Sequence, residues 1–467
     1  MTRHTAAVTP TDANDPTPAD ADGLSRVVKM ALDTGEVGTL ESGYALFRSY
    51  RLGVLVGPEA ADSAAHQAAV LTIVNTARRA MLGGVVVAGI LDAPLRVQLP
   101  PYDTLAAAVA GLGGRVESAI PTDVPVLTVG SVGGVPETSP IALAVTFDGW
   151  RGGVIPVSDN RRLREAATIS PAAVLAAALG VSEVFQHLRG YAVAGHRPVG
   201  LSLWAPDELN WESAPDGPIG VVLPSRLWLI GLGHLGQAYL WTLGLLPYRA
   251  PGEVEFVLQD FDRLTLSNDS TSLLTRKDLV GERKIRAMAA WAEARGFNTR
   301  LVERVYPGGI RVADNEPQLA LGGVDNPQAR AAYEDAGFRC VIEAGLGAGP
   351  SEYLAMRLHS FPASTTARSK WGGQTTGTDT AAHRLPAYDR LAEGGADECG
   401  LVRMASRTVG APFVGTAAAA LVVAEVLRLL NGGPLLEVLD MTLRDPGLRS
   451  IVPATARQPT WNPGFTR

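Results

Sequence analysis

Residues 227–236 read LWLIGLGHLG, and QAYLWTLGLL follows directly. Four apolar residues of strand character, Leu227 to Ile230, run into Gly231-x-Gly233-x-x-Gly236, and the segment after them has the composition of a helix. In a strand–turn–helix unit each glycine has its own task. The first permits a tight turn, the second lets a phosphate approach the backbone, and the third lets helix and strand pack closely. The free N–H groups that open the helix then favour an anion. The glycines alone do not say which nucleotide binds, or whether any does.

The chain beyond them narrows the choice. A second strand, VEFVLQDFD, ends in Asp260 and Asp262, with Asp260 placed 29 residues after Gly231. A carboxylate there can accept hydrogen bonds from ribose hydroxyls, whether the nucleotide is NAD or ATP. Asn268 follows in LTLSNDST. The segment DLVGERKIRAMAAWAEARG predicts an amphipathic helix, with Ile285, Met288, Ala289 and Ala292 on one face. Lys284 falls in its first turn, where the helix dipole disfavours a cation. A phosphate would reverse that penalty, and neighbouring Glu282 would also answer it. LALGGVDNPQARAAYEDAG then places Asp325 and Asn326 where a strand gives way to a helix, and RCVIEAGLGAG supplies another apolar strand ending in glycines.

In this order and spacing the elements resemble the ThiF/MoeB/HesA superfamily of adenylyltransferases, relatives of the ubiquitin-activating enzymes. Its pattern is a glycine loop, an aspartate pair, an asparagine in an S-N motif, a lysine opening a helix, and an aspartate–asparagine pair ahead of an arginine. The matching positions are Gly231, Gly233 and Gly236, Asp260 and Asp262, Asn268, Lys284, then Asp325 and Asn326 with Arg330. The resemblance covers about Ser225 to Pro446. It implies an α/β, Rossmann-like fold with a mostly parallel sheet and flanking helices. It also implies ATP with Mg²⁺ as cofactors and adenylation of a carboxylate, typically the C-terminus of a small carrier protein or peptide. By the same resemblance Asp325 would hold Mg²⁺ and Asp260 the ribose, while Asn268 and Lys284 would touch phosphates. One departure bears on catalysis. The family carries an arginine three residues after the asparagine, and here that position is Thr271, with Arg276 the nearest replacement. Two readings of other classes stay open: an NAD(P)-dependent oxidoreductase, and a scaffold that keeps the fold without turnover.

Composition bounds the rest. The chain has 467 residues, enough for two or three domains, and 47 acidic against 41 basic residues give no basic surface for nucleic acid. Two cysteines make no disulfide framework and no four-cysteine zinc site, and fit a reducing cytoplasm. No signal peptide is visible. The apolar segment PFVGTAAAALVVAEVLRLL carries Glu425 and Arg428 and predicts a buried core helix rather than a membrane span.

Residues 1–22 are rich in Thr, Pro, Asp and Ala and predict a disordered tail; residues 453–467 predict a flexible one. Between them, 40–215 reads as a degenerate copy of the nucleotide-binding unit at 222–450. RLGVLVGPEAADSAAHQ begins like LWLIGLGHLGQ, ISPAAVLAAALGVSEVFQHLRG resembles GAPFVGTAAAALVVAEVLRLLNG, and GHRPVGLSLWAPDE resembles GGPLLEVLDMTLRDP. The matches fall in the same order, which predicts a tandem repeat forming a pseudo-dimer that could itself dimerise. In the first copy the turn reads Gly57-Pro58-Glu59-Ala60, without the second and third glycines; Glu59 near the phosphate position and Pro58, which removes an N–H donor, should abolish phosphate binding there. That copy could still lend an arginine, with Arg48, Arg51, Arg78 and Arg79 as candidates.

Cys399 sits in the glycine-rich stretch GGADECGLVRMASRTVGAPFVG. By resemblance a cysteine just ahead of such a helix receives the activated acyl group, and a thiolate suits that step. Cys340, at the start of RCVIEAG, reads as core. His234 lies in the glycine loop as a surface histidine, and His359 and His383 show no metal-ligand spacing.

Overall fold

The computed structural model describes residues 23–347, 349–374, 408–455 and 461–466. Two short helices, α1 (Arg26–Asp33) and α2 (Leu40–Ser49), open the described chain. The first sheet then forms from β1 (Leu52–Val56), α3 (Ala64–Ala80), β2 (Val85–Gly89), α4 (Leu105–Gly111), β3 (Arg115–Val116), β4 (Val126–Val129), β5 (Ala142–Asp148), β6 (Arg151–Pro156), α5 (Ser170–Leu188) and β7 (Val199–Ser202). Its strand order is β3-β2-β1-β4-β5-β6-β7. The pairs from β3 through β5 are parallel and the last two are antiparallel.

The second sheet follows β8 (Leu223–Pro224). It comprises β9 (Arg226–Ile230), α6 (His234–Gly244), β10 (Glu255–Gln259), α7 (Lys284–Glu293), β11 (Asn298–Val302), β12 (Leu319–Gly322), α8 (Pro327–Ala331), β13 (Cys340–Leu346), β14 (Ala355–Phe361), α9 (Ala367–Trp371), α10 (Pro412–Asn431), β15 (Leu436–Thr442) and β16 (Arg449–Pro453). Its order is β11-β10-β9-β12-β13-β14-β15-β16, again parallel through the first five strands and antiparallel afterwards. Strand for strand, the first seven positions of the two sheets correspond. Near-continuous apolar runs such as LGVLV and RLWLI fit strands covered on both faces.

Helices pack the space between the sheets: α5 lies on α3 and on α10, and α10 lies on α6. Among the described residues α5 and α10 are the two helices long and apolar enough to cross a bilayer, and both are buried in the core instead. Polar bonds also cross from one half to the other. The Trp241 indole donates to Thr72 Oγ1 at 3.0 Å, Gln186 Nε2 donates to the Leu443 carbonyl at 3.1 Å, and Arg428 donates to the Leu203 carbonyl.

Two expectations shift. The helix expected across 278–296 starts only at Lys284, because Gly281 takes φ +94° and breaks the backbone ahead of it. The tail expected to be flexible from 453 includes residues 461–466, where β17 (Phe465–Thr466) pairs with β8. Residues 1–22 lie outside the described residues.

Candidate active site

In an open α/β sheet the crevice for a ligand lies beyond the carboxyl ends of the strands, where the strand order reverses. In the second sheet that point is between β9 and β12. The glycine loop leaves β9 on one side of it, and the Gly323–Asn326 loop leaves β12 on the other.

The three glycines differ physically. Gly231 takes φ +83°, and a Cβ there would meet a Val324 methyl at 2.8 Å. A Cβ on Gly236 would stand 1.9 Å from the Gly231 carbonyl oxygen, so the helix start rests directly on the turn. Around Gly233 a Cβ would meet nothing within 4 Å among the described residues. Gly236→Ala should therefore lower thermal stability, since the clash is with backbone. Gly233→Val should fold and melt like the parent while losing nucleotide binding, because its branched side chain enters space the protein itself leaves open. Differential scanning calorimetry with and without ATP checks both; undiminished ATP affinity in folded Gly233→Val would refute the assignment.

Asp260 is buried at the end of β10, and both its oxygens are engaged. Oδ2 accepts the Leu232 N–H at 2.7 Å and Oδ1 accepts the Asp262 N–H at 2.8 Å, which ties the glycine loop to the neighbouring strand end. Asp262 is half exposed and answers Lys284: Nζ lies 2.9 Å from Asp262 Oδ2, and the Lys284 N–H donates to the Asp262 carbonyl at 2.9 Å. The charge of Lys284 at the start of α7 is thus balanced by Asp262 rather than by Glu282.

Asn268 accepts the Thr265 N–H at 2.9 Å and closes a capping box on a short 3₁₀ turn. Asn326 caps α8, its Oδ1 accepting from Gln328 N–H at 2.8 Å and Ala329 N–H at 3.2 Å. Asp325 beside it is exposed and makes no hydrogen bond or ion pair among the described residues. Arg330 turns inward from α8. It pairs with buried Glu343, with Nη2 to Oε2 at 2.6 Å, and lies over the Trp371 ring at 4.3 Å. His359 shares Glu343 through Nδ1 at 2.5 Å. That cluster braces the sheet beneath the site.

Arg276, the stand-in for the missing family arginine, is exposed and paired with Asp278, Nε to Oδ1 at 3.0 Å. Thr271 is buried. The structure does not bring Arg276 onto the glycine loop among its described contacts. Cys340 sits at the start of β13, where burial pushes its thiol up to about 12. Cys399 and His383 lie outside the described residues.

His234 is not a surface histidine. Its ring packs against Gly415, where a Cβ would meet Nε2 at 2.3 Å. Burial is the main cause that pulls its pKa to about 4, opposed by a hydrogen bond with the Pro412 backbone and assisted by the charges of Arg26 and Arg79, so the ring is neutral. Those arginines belong to the first half. Arg78 pairs with Asp269, Nη2 to Oδ1 at 2.8 Å, and Arg79 is buried with Nη2 donating to the Leu273 and Thr275 carbonyls at 3.0 Å each. Arg48 stacks on Tyr44 within its own half. Arg26 was missed from sequence. Its backbone N–H donates to Ser270 Oγ at 3.3 Å and its Nη1 to the Thr408 carbonyl at 2.6 Å, which sets its charge beside the glycine-loop histidine. A lone arginine opening an apolar helix gave no local signal of that.

The corresponding switch point of the first sheet, between β1 and β4, is filled by the protein itself. Glu59 Oε2 accepts the Ser131 N–H at 2.9 Å, and a Cβ on Gly57 or Gly130 would fall 2.7 or 2.4 Å from that same oxygen. Burial pushes the Glu59 carboxyl up, yet its hydrogen bonds with Ser131 outweigh this and hold it below the usual carboxylate range.

A glycine loop and two acidic loops converging on the switch point of a mostly parallel sheet define a Rossmann-like α/β fold. Residues 51–203 match the model of the BilD N-terminal domain and residues 223–433 that of the BilD C-terminal domain. The bacterial E1-like protein BilD of Collimonas sp. (strain OK412) is 42% identical over 446 residues, covering 95% of this chain and 96% of that one. The chain belongs to this E1-like BilD family. Crystal structures of E. coli MccB overlap more loosely. One matches at TM-score 0.33 and 14% identity over 52% of this chain and 66% of that chain, and one solved with ATP at TM-score 0.32 and 13% identity over 51% and 65%.

Proposed function

We propose that the chain uses ATP and Mg²⁺ to adenylate a carboxylate, the C-terminus of a small carrier protein or peptide. One observation carries this: at the second switch point the space above Gly233 is open among the described residues, while Lys284 and Asp325, which has no partner among them, stand on the loops that flank it. The E1-like family membership supports the same chemistry. The residues fit the group. The start of α6 and Lys284 would hold phosphates, Asp260 the ribose through the lone pairs its two backbone bonds leave over, and Asp325 the Mg²⁺, whose charge would offset that of the triphosphate. A carboxylate oxygen attacks the α-phosphorus and the bond to pyrophosphate breaks. The protein's part is to position the groups and stabilise charge.

The equal strand order of the two sheets, and the carboxylate plug in the first, support a tandem pair in which only the second copy binds nucleotide. The first copy completes the shared core and places Arg78 and Arg79 against the second, while α1 ahead of it adds Arg26. Cys399 would accept the acyl group as a thioester.

ATP–pyrophosphate exchange with candidate carriers, together with a thermal-shift screen, tests the reading. ATP·Mg²⁺ should raise the melting temperature and NAD or NADP should not. Asp325→Ala should remove the metal dependence, and Cys399→Ser should keep exchange but lose a reductant-sensitive adduct. A shift with NAD alone would mean an oxidoreductase. No shift with any nucleotide would mean the scaffold, which buried Thr271 and the outward pairing of Arg276 favour.

A further inference from the structure

Just past the end of α7, an open cavity of 410 Å³ lies at the junction of the two halves. The first half contributes one wall from the loop between β2 and α4, including Val97, Leu99, Pro101 and Tyr102. The second half contributes Ala294 and Arg295.

Arg295 is the unusual member. It is only 5% exposed. Its guanidinium stacks on Trp291 at 3.5 Å from the ring centroid, and Nη1 donates to the Trp291 carbonyl at 2.7 Å. Nε is buried without a partner, Nη2 makes no hydrogen bond, and no carboxylate lies within ion-pair distance among the described residues. Burial pulls its pKa down to about 9, opposed by Tyr102. Tyr102 acts on Arg276 as well, which sets that second arginine, already paired with Asp278, near the same loop. Asp103 also lines the cavity, but it is exposed and pairs with no cation among the described residues.

A buried cation with open donors costs free energy until an anion answers it. A guanidinium fork matches a planar carboxylate, and a concave place at a domain junction where polar groups stand beside apolar side chains is a usual form of ligand site. We propose that this cavity binds an apolar carboxylate, with the acid group on Arg295 and the apolar body against Val97, Leu99 and Pro101. A singly charged acid matches one unanswered arginine better than a phosphate does, since Asp103 on the wall would repel a second negative charge. The ligand is either a free small acid or the terminal carboxylate of a peptide, and the cavity is separate from the adenylation site.

The test uses the whole protein labelled with 5-fluorotryptophan, with the Trp291 resonance identified by Trp291→Phe. Fluorine NMR then follows titration with 4-methylpentanoate, its amide, and a short peptide ending in leucine as free acid or as amide. The expected result is a saturable shift of Trp291 with the free acids and none with the amides. Arg295→Gln should weaken that binding at least tenfold, and Val97→Trp, which fills the cavity while leaving Arg295 in place, should abolish it. Tighter binding of 4-methylpentanoate than of the peptide assigns a small-molecule site, and the reverse order assigns a peptide terminus. No shift with either acid, or an equal shift with the amides, overturns the proposal, as does unchanged binding in both variants. Inorganic phosphate competing better than either acid would overturn it too. None of these readouts depends on ATP, so loss of the adenylation reading would leave this one standing.

Discussion

Lys284→Ala should slow ATP–pyrophosphate exchange by about 10²–10³-fold, the usual cost of removing a group that stabilises charge developing in the transition state. That is the role proposed above for the residue, whose charge Asp262 answers in the free protein. It opens α7, where the helix dipole works against a cation, and it is mostly buried with only the half-exposed Asp262 carboxylate 2.9 Å away. Folding should hardly notice its loss, because a weak pair and an unfavourable dipole interaction disappear together. The melting temperature of the variant should thus stay close to the parent's while exchange collapses, and Lys284→Arg should fall between. Exchange within a few-fold of the parent would place the chemistry elsewhere.

The second large effect concerns stability. Glu425 and Arg428 form a fully buried pair on α10, with Arg428 also donating to the Leu203 carbonyl and Glu425 Oε1 accepting the Leu436 N–H at 2.7 Å. Glu425→Ala leaves a guanidinium uncompensated inside the core, which costs about 3–5 kcal/mol. For a chain of this size that should lower the melting temperature by roughly 3–5 °C. The double variant Glu425→Leu/Arg428→Met should be less damaged than Glu425→Ala, since removing both charges strands neither. A Glu425→Ala protein that melts with the parent would mean that water reaches this pair.

What the sequence made legible was local. Leu227–Gly236 declares strand, turn and helix through periodicity and glycine spacing, and the structure forms β9, the loop and α6 there. Asp325 and Asn326 were placed at a strand-to-helix boundary for the same reason. Side-chain direction was not legible. Nothing in the spacing says that Lys284 turns to Asp262 instead of Glu282, or that both oxygens of Asp260 hold backbone. The inward turn of Arg330 onto Glu343 and the burial of His234 against Gly415 depend on segments far away in the chain. Arg26 is the clearest case: its partners Ser270 and Thr408 lie hundreds of residues on, so only the assembled core brings it to the glycine loop.

The carboxylate of Glu59 has a thermodynamic consequence. A phosphate that binds a glycine loop stabilises the folded state in proportion to the logarithm of its concentration, so such a unit is firmer when its ligand is abundant. Glu59 is covalently tethered to the loop it fills and cannot be diluted away. The first half therefore carries its anion at every nucleotide level, and its contribution to the shared core is constant. On the proposed function only the second half is left open to mass action, so depletion of its ligand would loosen one side of the molecule against a partner that does not change.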